Sequence, residues 1–247
     1  MPAVRVGTAG WTIPRAHAND IPGEGSHLER YSRQLSCAEI NSTFYRPSRE
    51  STWLRWVASV PDDFRFAVKA PKIISHEAAL ELTAESAAAL EAFLAQARLL
   101  GPNLGPLLFQ LPPSQSFDFN RARSFFENLS TLHVGPVVLE PRHATWFSAE
   151  ADSLLSDLGI ARAAADPAAV PEAAVPGGFR NLTYYRLHGS PRKYYSEYTR
   201  EWLSRLSATL ASQPAECEAW VIFDNTASGA ALGNALELSR MLSRAVI

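Results

Sequence analysis

Apolar and β-branched residues gather along this chain in eight short runs bounded by turn-forming residues: 4–10, 37–44, 65–71, 105–112, 136–143, 161–166, 182–189 and 218–226. Runs of this length and composition predict strands. Their starts lie about thirty residues apart, the length of one strand-helix-strand unit. Segments with helical spacing fill most gaps: 28–36, 49–59, 83–100, 119–132, 148–158, 197–212 and 228–243. In the clearest of them Leu90, Phe93, Leu94, Ala97 and Leu100 recur on one face, Thr83 can cap the start, and Gly101-Pro102 stops the end. The Pro- and Gly-rich connection at 168–179 has room for a helical turn only.

Strand-helix alternation implies parallel strands covered by helices. Eight such units without a linker predict an α/β fold, a closed (β/α)8 TIM-like barrel forming a single domain over residues 1–247. An open doubly wound sheet is the competing architecture, but the first strand-helix turn lacks the Gly-rich dinucleotide fingerprint.

Strands covered on both faces should be apolar, so polar residues inside them need a reason. Here they collect towards the strand ends: Glu39 and Asn41, Lys69, Gln110, Glu140 and Arg142, Asp166, Arg186 and His188, then Asp224 and Asn225. Alternation along each strand puts Glu39, Glu140, Arg142, Arg186 and His188 inside the barrel, with Ile40, Val137, Leu139 and Leu187 facing the helices. Ion pairs of Glu39 with Lys69, or of Glu140 with Arg142 or Arg186, would satisfy such a mouth structurally. A charged network across seven strands is nevertheless poor value for stability alone, so a functional mouth is the expectation.

Charge and composition narrow the class. The formal charge of −2 over 247 residues argues against a dedicated nucleic-acid binder, while leaving room for a local basic patch. Cys37 and Cys217 lack metal or disulfide spacing. The start, MPAVRVGTAGW, has no basic region followed by an apolar core, and the apolar stretch 84–100 is broken by charges. A soluble cytoplasmic protein without a membrane association is therefore expected.

Several segments carry a resemblance: VGTAGW (6–11), AEINSTFYR (38–46), FRFAVKAPKIISH (64–76), LGPLLFQLPPS (104–114), LEPRHATWF (139–147), YYRLHGSPRKYY (184–195) and FDNTASGAALGNALEL (223–238). In this order and spacing the chain resembles the domain-of-unknown-function 72 family, the YecE-like proteins. The resemblance implies a TIM-barrel-like fold and recurring polar positions, with no reaction attached. After Trp11 the chain departs from the family, reading TIPRAHANDIPGEGSHLERY where a Tyr, a second Trp and Phe-Tyr-Pro usually stand. FDN in place of the commoner FNN adds the carboxylate of Asp224.

Acid-base chemistry is expected from Glu39, Glu140 and His188, with Lys69 and Arg142 holding charge beside them. Lys69 could alternatively form a Schiff base, but the nearby carboxylates should keep it protonated. The loop Asn225, Thr226, Ser228, Gly229 opens a helix, a place suited to an anion such as a substrate phosphate, with Arg186, Arg192 and Lys193 nearby. Trp11, Asn41, Tyr45, His76, Gln110, His143, Trp146, Asp166 and Asp224 complete the expected pocket lining. Glu39, Glu140, His188 and Asp224 could also hold Mg, Mn or Zn, although no tight ligand spacing exists and cations compete for the carboxylates. The leading reading is an enzyme, a hydrolase or lyase, acting on an anionic small molecule or nucleotide. A nucleic-acid-binding protein and a non-catalytic small-molecule binder are the alternatives. Nothing in the sequence settles the oligomeric state.

Overall fold

A computed structural model describes residues 2–244. The strands are β1 (Ala3–Ala9), β2 (Cys37–Ile40), β3 (Arg65–Lys69), β4 (Leu104–Gln110), β5 (Val137–Glu140), β6 (Ile160–Arg162), β7 (Ala164–Asp166), β8 (Gly177–Gly178), β9 (Leu182–Leu187) and β10 (Glu218–Phe223). The helices are α1 (His27–Ser32), α2 (Glu50–Ala58), α3 (Ala84–Ala97), α4 (Phe119–Leu132), α5 (Ala149–Asp157), α6 (Arg200–Ala211) and α7 (Ala230–Arg244). All strands join one sheet in the order β7-β9-β10-β1-β2-β3-β4-β5-β6-β8, and every pairing except β6–β8 is parallel.

The sheet curls into a nearly closed barrel, and the single sixth strand expected from sequence closes it as two pieces. β6 pairs with β5, then Ala163 donates to the Leu139 carbonyl, and β7 pairs with β9. The far edge of β6 is taken by β8, so β9 is engaged only from Ala164 onward. Arg162 makes this possible: buried beside Asp152, it donates to the Glu172 and Val175 carbonyls and holds the 171–178 connection against the barrel. That connection contains its expected turn, Pro171–Ala174, and also the short β8.

Strands end earlier than the sequence implies because side chains capture their last carbonyls. The Thr43 hydroxyl lies within hydrogen-bonding distance of the carbonyls of Ile40 (3.2 Å) and Lys69 (2.6 Å), and residues 42–44 coil into a turn. After Glu140, Pro141 has no N–H to continue a ladder. α3 starts and stops as expected: Thr83 caps it by accepting from the Ser86 N–H, and Gly101 breaks the chain at φ 53°.

Strand parity divides the core in two. Ile40, Val137, Leu139 and Leu187 pack outwards with the helices in the larger core. Inside the bore lie Cys37, Ala67, Leu108, Val138, Ala161, Ala163, Leu182, Tyr184, Trp220 and Ile222. Two glycines permit close approaches inside it. A Cβ on Gly105 would fall 2.5 Å from the Trp220 ring, and one on Gly7 would fall 2.0 Å from the Cys37 carbonyl oxygen. Trp220 stacks on Tyr184 with centroids 6.1 Å apart, and below it the Arg5 guanidinium, paired with Glu218, covers the ring. The N-terminal half of the bore is thus packed with aromatic and aliphatic groups.

Candidate active site at the barrel mouth

Above that plug the inward positions turn polar. Arg186, from β9, is fully buried and central. Its Nε and Nη2 donate to the two oxygens of Glu39 at 3.0 and 2.6 Å, and its Nη1 donates to Glu140 at 2.5 Å. Nη2 also reaches Asp224 at 3.3 Å. The Tyr184 hydroxyl, one inward position below Arg186, donates to Glu39 at 2.9 Å. The planar guanidinium is the cation that can hold three carboxylates in fixed directions at once.

Glu140 is equally enclosed. Its oxygens accept from Gln110 at 2.9 Å, His188 Nε2 at 3.1 Å and Arg142 Nε at 3.3 Å as well as from Arg186. Burial alone would raise its pKa, but Arg186, His188 and Arg142 hold it well below the usual carboxylate range. Asp224 is lowered in the same way, burial being outweighed by Arg186 and His188. His188 is buried, with Nδ1 2.9 Å from Asp224 and Nε2 3.1 Å from Glu140. Ionised carboxylates only accept, so both contacts are hydrogen bonds when the ring carries a proton on each nitrogen. Tyr194, at a left-handed φ of 69°, covers this ring edge-on at 5.7 Å.

The mouth itself carries cations. Lys69 Nζ donates to Gln110 at 2.8 Å and sits 4.0 Å above the Phe44 ring. Its pKa is pushed down to about 8 by burial and by Arg186, against the pull of Glu39, Glu140 and Asp224. Glu39 is turned onto Arg186 instead of Lys69, so the amine holds its proton less firmly than a free lysine while remaining mostly protonated at neutral pH. His76, edge-on to Phe44 at 4.9 Å, is lowered by burial, Lys69 and Arg142. Lys193, from the loop after β9, is lowered by burial and Arg142. Arg142 is half-buried and its Nη2 has no protein partner. The Oδ1 of Asn41, the residue directly after β2, is likewise buried without a partner.

Other expected lining residues lie elsewhere. Trp11 packs edge-on against Trp56 and Phe66, on the helix side of the barrel. Trp146 is buried under the 115–117 loop, donating from its indole to the Gln115 carbonyl at 3.0 Å. His143 is spent on the following turn, within 3.0 Å of the Thr145 hydroxyl, and Tyr45 projects into solvent. Asp166 accepts from Tyr198 at 2.7 Å, and Asn225 ties the 196 and 234 backbone and side-chain positions together. At the start of α7 the anion expectation is not met as drawn. The Ser228 hydroxyl donates to the Tyr195 carbonyl, the Gly229 and Ala231 N–H groups donate within the turn, and Arg186 is committed to carboxylates. The cavity beside Thr226 and Gly229, about 310 Å³, is otherwise lined by Thr8, Ala9, Thr12, Pro14, Ala231 and Leu232, with no cation.

Metal binding fares similarly. Among the described residues no group of three His, Cys, Asp or Glu side chains is arranged to hold an ion. Arg186 stands where the oxygens of Glu39, Glu140 and Asp224 converge, and both nitrogens of His188 are taken. Phe44, Tyr184 and Tyr194 are mouth residues that polarity alone does not reveal. Tyr184 could have been found by its parity with Arg186; Phe44 and Tyr194 sit in turns and leave no periodic signal.

A nearly closed α/β barrel with a buried ion network at its C-terminal mouth defines the class. Within it the chain belongs to the family described as protein of unknown function DUF72, whose profile matches residues 5–246. It is 24% identical over 270 aligned positions to the UPF0759 protein YunF of Bacillus subtilis (strain 168), covering 97% of this chain and 94% of YunF. It is 34% identical over 113 residues to the UPF0759 protein YecE of Escherichia coli (strain K12), a match that spans 44% of this chain and only 38% of YecE. Among solved structures, a DUF72 family protein from Enterococcus faecalis V583 superposes with a TM-score of 0.80 at 20% identity over 97% of this chain and 95% of that one. Another from Thermotoga maritima MSB8 superposes at 0.76 with 23% identity, covering 98% and 99%. No helix among the described residues is long and apolar enough to cross a membrane.

Proposed function

We propose that the barrel mouth is the active site of an enzyme that binds an anionic small molecule and performs acid-base chemistry on it. The observation that carries this reading is the gathering of cations around the mouth: Arg142 lowers the pKa of Lys193, Lys69 and Arg142 both lower that of His76, and Arg142 Nη2 is buried and unpartnered. Like charges gather at a cost unless something of opposite charge is held between them. Glu39, Glu140 and Asp224 do not serve that purpose fully, because Arg186 and His188 already occupy them. Their role is to fix Arg186, His188 and Arg142. The titrating groups left facing the mouth are Lys69, His76 and Lys193, all with lowered pKa, and Lys69 and His76, which share the Phe44 ring, are the pair assigned to proton transfer.

The test is a mixture of phosphate esters and carboxylates incubated with the wild-type protein and with Lys69→Met. Consumption of an anionic component by the wild type, reduced about 10²–10⁴-fold in the variant, is the expected outcome. Binding without consumption by either protein would leave a non-catalytic binder and overturn the enzyme reading.

One observation favours a second reading, a groove for single-stranded nucleic acid. Arg192 lies 4.0 Å over the Tyr195 ring and Lys193 lies 5.7 Å from the Tyr194 ring, and both tyrosines are exposed. Cations interleaved with open aromatic faces suit stacked bases. Oligonucleotide binding that falls steeply with added salt would support it, and absence of binding at low salt removes it.

A further inference from the structure

Lys69 is an unusual cation for this chain. Of the 23 Lys and Arg residues only three are lysines, at 69, 72 and 193. Lys72 is exposed and paired with Glu77 at 2.9 Å, an ordinary surface arrangement. Lys69 is partly buried, and lysines withdrawn from solvent are usually ion-paired. Yet its partners are the neutral Gln110 amide oxygen and the face of Phe44, and no carboxylate lies within salt-bridge distance among the described residues. Arg186 draws away the acids that could have paired with it. Such a setting tolerates a neutral amine, the nucleophilic form, whereas an arginine there would stay charged and inert. Packing on Phe44 alone would be served as well by a methionine or a leucine, without the cost of desolvating an ammonium.

We infer that Lys69 is a covalent nucleophile that forms an imine with the aldehyde or ketone carbon of an anionic substrate. This rests on the mouth being an anion site, and it names the substrate class: a small oxo-carboxylate or an oxo compound bearing a phosphate. The Nζ lone pair forms a C–N bond while the carbonyl π pair moves to oxygen. One N–H proton passes to that oxygen, giving the carbinolamine. The C–O bond then breaks with uptake of a further proton, and water leaves as the nitrogen lone pair completes the iminium. The sum is a protonated amine and a carbonyl giving an iminium and one water, with no oxidant or reductant. His76 packs on the same Phe44 ring and feels the Lys69 and Arg142 charges; in this step it relays the proton, while Arg142, with its free Nη2, and Lys193 hold the anionic group.

The experiment incubates the full chain with glyoxylate and sodium cyanoborohydride, then maps the reduced adduct by peptide mass spectrometry. Propionaldehyde serves as the neutral comparison, and glyoxylate binding is measured in parallel by calorimetry without reductant. The expected result is labelling at Lys69 at least tenfold faster than at Lys72, faster with glyoxylate than with propionaldehyde, and absent from Lys69 in Lys69→Met. Because selectivity is read on the wild type, a folding defect in the variant does not blunt the test. Glyoxylate binding with no preference for Lys69 would overturn the imine while leaving the anion site standing. No binding and no preference would remove both. Preferential labelling by propionaldehyde alone would overturn the assignment of an anionic substrate.

Discussion

Replacing Arg186 by methionine would keep most of the side-chain volume and remove the guanidinium shared by Glu39, Glu140 and Asp224. Three enclosed carboxylates would then lose their common partner, a change expected to cost about 3–5 kcal/mol in urea unfolding at pH 7.5. Without that partner, burial pushes the carboxyls up, so the deficit should narrow as pH is lowered towards 5. In the wild type the sign is the ordinary acidic one. Glu140 is held low, so its contribution is full above the unfolded value of about 4.3 and is lost as pH falls through the folded value. Lys69 behaves oppositely to a paired lysine. Its folded pKa, about 8, lies below the unfolded value, so the folded state binds fewer protons and stability rises as pH climbs from about 8 towards 10.4. Lys69→Met should therefore stabilise the protein at pH 7, by on the order of 1–3 kcal/mol, while removing turnover. A loss of stability in that variant would show that the amine is kept for the fold. Residue parity made Glu39, Glu140, Arg186 and His188 legible as one inward set, because a two-residue period leaves no choice of face. It could not say which acid pairs with which base, since that depends on side-chain reach across strands.

The interrupted closure between β6 and β7 bears on the elements around it. Arg162 donates to Asp152 at 3.2 Å and to two carbonyls of the 171–178 connection. Asp152 in turn accepts from the Gly178 N–H at 2.8 Å, and Phe179 donates to the Ile160 carbonyl. Arg162→Met should free this connection without opening the barrel. The expected readout is faster limited proteolysis within residues 167–178, with an unchanged far-ultraviolet spectrum and intact exchange protection in β1 and β10. Strand and helix existence followed from hydrophobic spacing, as α3 illustrates with its Thr83 cap and Gly101 stop. What spacing missed were backbone events made by single side chains: the Thr43 hydroxyl ending β2, the Arg162 guanidinium recruiting β8, and the π-helical turn at Ile73–Glu77 that presents His76. These depend on contacts between segments far apart in sequence, which a local pattern does not encode.

For the molecule as a whole, the lowered pKa of Lys69 at the mouth predicts a rising limb in the pH–rate profile. Turnover should increase as Lys69 loses its proton near pH 8, and the limb should vanish in Lys69→Met. A profile flat from pH 6 to 9 would place the chemistry elsewhere. The aromatic filling of the bore has a kinetic consequence. Trp220, Tyr184 and the Arg5–Glu218 pair close the lower end, and the missing side chain at Gly105 leaves the space the Trp220 ring occupies. The filled bore therefore offers no second way through the barrel. On the proposed function, whatever binds at the mouth must leave by the side it entered before another molecule can take its place, so product should compete with substrate for entry and inhibit competitively.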